Sequence, residues 1–305
     1  MPVQPASPIH SAPAPSHPDN TRGIVLMALG FAFFAAGDVQ AKLLTESFNP
    51  LQITWMRMTG LFLGVMIMLS FRGLHLLRTV NRPVQILRGV AAAGSASLFI
   101  FAIQHVPLAD AVAVSFVAPF VVTVFGAILL REPVGPRRWV AVAIGFGGML
   151  IVIRPGLGVF HPAILLVVLA ASLFASRQIL SRMLAGTDGA MTTVAYTSIT
   201  ATGLLTLTLP FVWQTPQGWQ TWALIFGLAG TSAIGEVLVI RALDIAQAVV
   251  LAPLHYSLIL WGTFYGYIAF AQLPDGWTLL GCGIIMASGL YTLHRERLAN
   301  RKARG

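Results

Sequence analysis

Apolar residues along this chain fall into ten runs, each parted from the next by a short segment carrying arginine, proline, glycine or aspartate. A helix needs about 20 mostly apolar residues to cross a bilayer core. On that scale the runs predict membrane-spanning helices over residues 23–45, 51–71, 84–104, 108–130, 139–153, 160–183, 191–213, 219–242, 248–270 and 277–293. The expected fold class is an all-α polytopic membrane protein with ten transmembrane helices. Residues 1–22 are rich in Pro, Ser, Ala and His and lack an apolar core, so they read as a disordered tail rather than a cleaved signal. Residues 294–305 read as a short basic tail.

The pattern occurs twice. Phe34-Ala35-Ala36-Gly37-Asp38-Val39-Gln40-Ala41-Lys42-Leu43-Leu44 returns 140 positions later as Phe174-Ala175-Ser176-Arg177-Gln178-Ile179-Leu180-Ser181-Arg182-Met183-Leu184. Ala118-Pro119-Phe120 in the fourth span is echoed by Ala252-Pro253-Leu254 in the ninth, and both copies continue toward a proline turn and a tryptophan, Trp139 and Trp277. The expected repeats are 23–153 and 160–293. Five spans is an odd number, so the second copy runs antiparallel to the first, the arrangement that secondary transporters use for alternating access.

Charge sets the expected orientation. With the N-terminus in the cytoplasm, sixteen of the 19 Lys and Arg residues fall on the inner side, leaving only Lys42, Arg57 and Arg154 outside. That imbalance follows the positive-inside rule and places both termini in the cytoplasm of a bacterial inner-membrane protein. It also accounts for the sequence pI of 10.8 without nucleic acid as a partner. Only 10% of residues are charged and mean hydropathy is +0.80, which excludes a water-soluble domain. The single cysteine, Cys282, permits no internal disulfide.

Several residues carry a closer resemblance. Leu130-Arg131-Glu132-Pro133-Val134-Gly135-Pro136-Arg137-Arg138-Trp139, Gly145-Phe146-Gly147-Gly148, Arg154-Pro155-Gly156 and Pro274-Asp275-Gly276-Trp277 resemble the drug/metabolite transporter superfamily, ten-span EamA type. Gln272 departs from it, standing where that family usually has Glu. The resemblance implies a central cavity lined mainly by spans 1, 3, 4, 6, 8 and 9, and a small organic metabolite as cargo. Some bacterial relatives export amino acids, aromatic ones included; others take up S-adenosylmethionine or riboflavin. Gly37-Asp38-Val39-Gln40-Ala41-Lys42, Ile86-Leu87-Arg88-Gly89 and Ser115-Phe116 look like the S-adenosylmethionine branch. The leading expectation is export of amino acids including aromatic ones, with uptake of S-adenosylmethionine or riboflavin as the alternative.

Ionisable groups at bilayer depth are expensive and mark pathways or paired contacts. Asp38 and Arg57 should lie at one depth near the outer side; Gln178, Arg177, Glu236 and Arg241 should lie near the inner side, with Asp38, Gln178 and Glu236 as candidate substrate contacts. Two readings stand: gates, with Asp38–Arg57 and either Glu236–Arg177 or Glu236–Arg241 as ion pairs, or interfacial pairs with arginines snorkelling to headgroups. His255 and Tyr256 follow Pro253 and read as substrate contacts, or, for His255, as a coupling group or a packed neutral ring. Phe101, Phe120 and Trp261 are the aromatic candidates for the cavity. Pro119 and Pro253 read as hinges or cavity-lining breaks, or as plain kinks.

No P-loop, His-Glu-x-x-His or Gly-x-Ser-Gly pattern is present. The chain is therefore expected to be no enzyme, with no catalytic residue, metal or cofactor, although an intramembrane enzyme stays open as a distant second class.

Overall fold

The computed structural model describes residues 19–131, 134–154, 161–184, 187–246 and 248–304. Residues 1–18 of the expected N-terminal tail, the Glu132-Pro133 turn, the Pro155-Gly156 step and the link between the halves at 155–160 lie outside the described residues.

Besides short helical turns at Leu74–Leu77 and Leu209–Val212, the described residues form ten main helical segments at the ten expected places. They are α1 (Asn20–Leu44), α2 (Pro50–Arg72), α3 (Arg82–Ile103), α4 (Leu108–Leu129), α5 (Pro136–Ile153), α6 (Ile164–Leu184), α7 (Ala190–Thr206), α8 (Trp219–Ile245), α9 (Ala248–Leu251 continuing through Ser257–Phe270) and α10 (Gly276–Arg304). Local chemistry sets the starts: the Asn49 and Asp275 side chains accept hydrogen bonds from the amides of Leu51 and Thr278, at 3.0 and 2.8 Å, and Pro50 occupies the first turn of α2. Seven segments, α1 to α6 and α8, are long and apolar enough to cross a membrane by themselves. The helix of α7 is 17 residues long, α9 is broken, and the apolar part of α10 covers Gly276–Thr292. Beyond that apolar part, the backbone of α10 continues as helix through the basic stretch to Arg304.

Large apolar side chains such as Phe71 and Phe211 are more than four-fifths exposed, as a lipid-facing surface requires. Links between loops show which helix ends lie together. The backbone amide of Asp19, before α1, donates to Ile245 O at the end of α8, and Gln85 in the first turn of α3 donates to Asp188 before α7. This is the terminal face. On the opposite, distal face Gln104 donates to Thr45 O, and Gln52 and Gln214 exchange two hydrogen bonds at 2.7 and 2.8 Å.

Packing repeats under exchange of each helix with the one five places later. α1 packs on α8 and, correspondingly, α6 on α3; α2 on α8 and α7 on α3; α1 on α9 and α6 on α4. The pairs α2–α7, α4–α9 and α5–α10 map onto themselves. Such a pattern is a pseudo-twofold axis passing through those three pairs, with α1, α3, α6 and α8 flanking it. The 140-residue offset holds at single contacts. A Cβ on Gly60 would lie 2.2 Å from Ala229 O, and one on Gly89 would lie 2.5 Å from Thr200 Cβ; the second pair is the first moved by 140 residues and exchanged. With little hydrophobic force between helices in lipid, small residues at such crossings let backbones approach.

Both halves break in the same place. α4 is interrupted between Ser115 and Ala118, and α9 winds into a 3-10 turn over Ala252–Tyr256. Pro253 lies within the 3-10 turn, and Pro119 stands in the first turn of the helix that resumes after the α4 break, a place where a proline's missing amide donor costs little. The rings of Phe116 and Tyr256, again 140 apart, stack at 5.3 Å. Counterparts that touch each other must lie on the axis, so the two breaks meet there. Gly289 makes room for the tyrosine: a Cβ at that position would lie 1.5 Å from its hydroxyl.

Asp188 clasps the terminal face, accepting from Thr79 Oγ1, from Gln85 Nε2 at 2.7 Å and from the Val80 amide at 3.3 Å. Burial alone would push its carboxyl up, but these hydrogen bonds outweigh that and hold it below the usual range. Its contribution is therefore complete above the unfolded-state value of about 3.9 and is lost as pH falls through the lower folded value.

Two outcomes follow for thermal unfolding in detergent. Gly60→Ala and Gly89→Ala should each destabilise by about 1–3 kcal/mol, whereas Gly203→Ala, which meets nothing within 4 Å, should be neutral or stabilising by up to about 1 kcal/mol. Asp188→Asn should lower the melting temperature at neutral pH, and its gap to wild type should close as pH drops below about 4.

Candidate functional site

The axis and the flanking helices bring polar groups together near each face. Asp38 lies six residues before the end of α1 and Arg57 seven residues into α2, so both sit about 10 Å inside the distal face. Arg57 Nη1 meets Asp38 Oδ1 at 2.7 Å, with the two side chains 16% and 14% exposed. Beside them Thr231 Oγ1 of α8 donates to Gln40 Oε1 at 3.2 Å. Farther out, Lys42 Nζ donates to Val106 O at 2.7 Å and stands 5.2 Å from the centre of the Phe270 ring. Asp110 of α4 accepts from Thr278 Oγ1 of α10 at 2.9 Å, and Arg154 at the end of α5 pairs with Asp275 at 2.5 Å. The Thr278 amide, followed by Thr278 and Arg154 side-chain contacts, holds the exposed Asp275 carboxyl below its ordinary range. The distal face is thus tied from α1 to α2, from α4 to α10 and from α5 to α10.

The terminal-face cluster differs in composition. Arg88 lies six residues into α3 and Arg177 seven residues before the end of α6, again about 10 Å inside the face. Arg88 Nε donates to Ser181 Oγ at 2.7 Å, and its Nη1 donates to Thr193 O at 3.4 Å and to Thr197 Oγ1. The Arg177 guanidinium lies 4.7 Å from the centre of the Phe174 ring. Its Nε is buried without a hydrogen-bond partner among the described residues, as is Ser232 Oγ on α8. Glu236, one turn beyond Ser232, acts electrostatically on both Arg88 and Arg177. Gln178 is half-buried next to Arg177. Of the two partners expected for Glu236, the structure brings Arg177 into its field, while Arg241 is exposed farther along α8.

The remaining expected residues disperse. Phe101 lies at the distal mouth, beside Phe48, Asn49 and Gln214, around an opening of 320 Å³. Phe120, expected in the cavity, is 3% exposed and fills the notch left by Gly145, where a Cβ would lie 2.2 Å from its ring; it packs α4 on α5. Tyr256 is the buried axial ring. His255 is exposed on the 3-10 turn with its ring 4.8 Å from that of Phe31. Trp261 is half-buried, stacks on Tyr265 at 6.1 Å and packs beside the apolar group around Met27 and Leu251. Pro119 is exposed and Pro253 half-buried.

Residues missed from sequence are Arg88, Asp110, Arg154, Asp275 and Thr278. Arg88, which stands within an apolar run, enters the sequence reading through the inner charge bias and the Ile86-Leu87-Arg88-Gly89 resemblance, not as a site residue. The other four meet partners from helices distant in the chain, which no local pattern reveals.

With this geometry in place, similarity to known proteins can be set beside it. A model of the EamA-like transporter family matches residues 21–154. The riboflavin transporter of Vibrio cholerae serotype O1 is 30% identical over 230 residues, 75% of this chain and 77% of that protein. The S-adenosylmethionine uptake transporter of Rickettsia felis is 25% identical over 91% of this chain and 94% of its own length. The pseudopaline exporter of Pseudomonas aeruginosa is 24% identical over 90% and 96%. A solved crystal structure shares the fold at a TM-score of 0.59 and 19% identity, covering 92% of this chain and 96% of the other. These similarities and the all-helical, multi-span structure agree: the chain is a multi-pass membrane protein and belongs to the EamA-like transporter family.

Proposed function

We propose that this protein is a secondary transporter of a bacterial inner membrane that moves a small organic metabolite by alternating access, with both termini cytoplasmic and no catalytic step. The observation that carries the reading is the pair of charge clusters at equal depth on opposite faces of one pseudo-twofold axis. Closing one face while opening the other requires a gate near each face, and Asp38–Arg57 on the distal side and Arg88–Arg177–Glu236 on the terminal side are the charged groups suited to those roles. In this reading Pro119 and Pro253 mark the flexible breaks.

For the cargo, uptake of S-adenosylmethionine is the leading reading, because relatives named for it align over nine-tenths of both chains. Export of amino acids, aromatic ones included, is the second; the partly exposed aromatic rings of Phe101 and Trp261 favour it. A relative named as an exporter aligns as fully as those named for uptake, so direction rests on solute gradients rather than on family.

Counterflow in proteoliposomes should show exchange of labelled S-adenosylmethionine above that of phenylalanine, threonine and riboflavin. Exchange of riboflavin alone would reject both cargo readings. Asp38→Arg and Arg57→Asp should each reduce folded yield and transport by about tenfold or more, since breaking a buried pair strands a charge. The double swap should recover most of that loss, and a harmless single reversal would remove the distal gate. In intact cells, a cysteine at Ser47 should react with an impermeant maleimide and one at Thr187 should not; the opposite pattern would invert the assigned orientation.

A further inference from the structure

The terminal-face cluster has no charged counterpart in the other half. Moving 140 residues along the chain puts Gly37 where α6 has Arg177, Leu228 where α3 has Arg88, and Ala96 where α8 has Glu236. The fold therefore holds together on the distal side without these three charges. Each is costly at this depth, so their presence on one side only needs a reason other than packing.

Their placement supplies one. α3 packs on α6, and α8 packs on α1 and α2, but among the described residues α8 makes no extensive packing with α3 or α6. Glu236 thus acts electrostatically, from one of the helix pairs that flank the axis, on Arg88 and Arg177 of the other. Arg88 is tied to Ser181, Thr193 and Thr197 and is fixed. Arg177 is not: its buried Nε lacks a hydrogen-bond partner among the described residues, and so does Ser232 Oγ, one turn from Glu236. Two guanidinium groups against one carboxylate leave one positive charge in excess. A ligand that completes this set brings a carboxylate for Arg177 and, close beside it, a cationic group for Glu236.

We propose that Arg177 and Glu236 bind the α-aminocarboxylate of the transported metabolite, with Arg88 as a fixed positive charge beside them. A guanidinium takes a carboxylate through two parallel N–H···O bonds, and Glu236 with Ser232 takes the ammonium. S-adenosylmethionine and free amino acids carry this group; riboflavin and methylthioadenosine do not. The assignment rests on the transport reading above and narrows it to one end of the cargo.

The test is equilibrium binding to the full chain in lipid nanodiscs, with counterflow measured in parallel. Labelled S-adenosylmethionine should be displaced by unlabelled S-adenosylmethionine, and about tenfold or more less well by methylthioadenosine or by decarboxylated S-adenosylmethionine. This comparison uses wild-type protein, so it does not depend on a variant folding. Arg177→Gln and Glu236→Gln should each weaken binding by about tenfold or more, with Arg177→Lys intermediate. Equal displacement by the decarboxylated compound, or unchanged binding in Arg177→Gln, overturns the assignment. Wild-type protein that exchanges a solute indifferently to Arg177→Gln leaves the transport reading standing and this site refuted. Wild-type protein that exchanges none of the solutes refutes the transport reading itself.

Discussion

The stacked rings of Phe116 and Tyr256 sit where the two halves of the molecule are forced to meet. Equivalent residues of a duplicated chain touch only on the symmetry axis, so this one contact places α4 against α9 and, through them, the rest of both halves. It also lies where both helices lose regular winding. In lipid an interrupted backbone is tolerated only if its freed groups are covered by protein or face a wet cavity, and two breaks that back onto each other satisfy part of that demand mutually. The absence of a side chain at Gly289 is what allows the tyrosine to occupy this position.

Around the axis, cohesion comes from close approach rather than from hydrophobic force, which is weak between helices surrounded by hydrocarbon. Gly60 against Ala229 and Gly89 against Thr200 are one contact made twice, with the glycine supplied by opposite partners. The same pairing recurs where Gly30 meets Gly235 on one side and Ser95 Oγ donates to Ala170 O at 2.8 Å on the other. Duplication has conserved the geometry of each crossing while letting residue identity drift. The halves also differ in charge, with Arg88, Arg177 and Glu236 standing opposite Leu228, Gly37 and Ala96, and a charged group in a membrane is the least neutral of changes.

Much of the fold was legible in the sequence because lipid imposes simple rules. Span length, loop charge and the repeated Phe-Ala segment each express a single physical demand, and the helices stand where those demands placed them. The site was less legible. Asp38 and Arg57 were matched by depth alone, since both are near the ends of consecutive helices. Arg88 escaped because a loop-charge count does not separate an arginine beside the membrane from one six residues inside a helix. Phe120 looked like a cavity ring until Gly145, 25 positions away, proved to be its socket. The pairing of Arg154 with Asp275 joins residues over a hundred positions apart, a distance at which a single sequence holds no signal.

The missing carboxylate at Gln178 has a kinetic meaning. If one mouth holds a balanced ion pair and the other a surplus of positive charge, cargo meets different half-saturation concentrations on the two sides of the membrane. Detailed balance forbids that difference from driving net flow: a carrier that merely equilibrates its cargo must match a lower half-saturation concentration on one side with a lower maximal rate of transport from that side. Unequal mouths therefore tune how fast the protein responds to cargo on each side, while the solute gradient, or an ion moving with the solute, decides which way it runs.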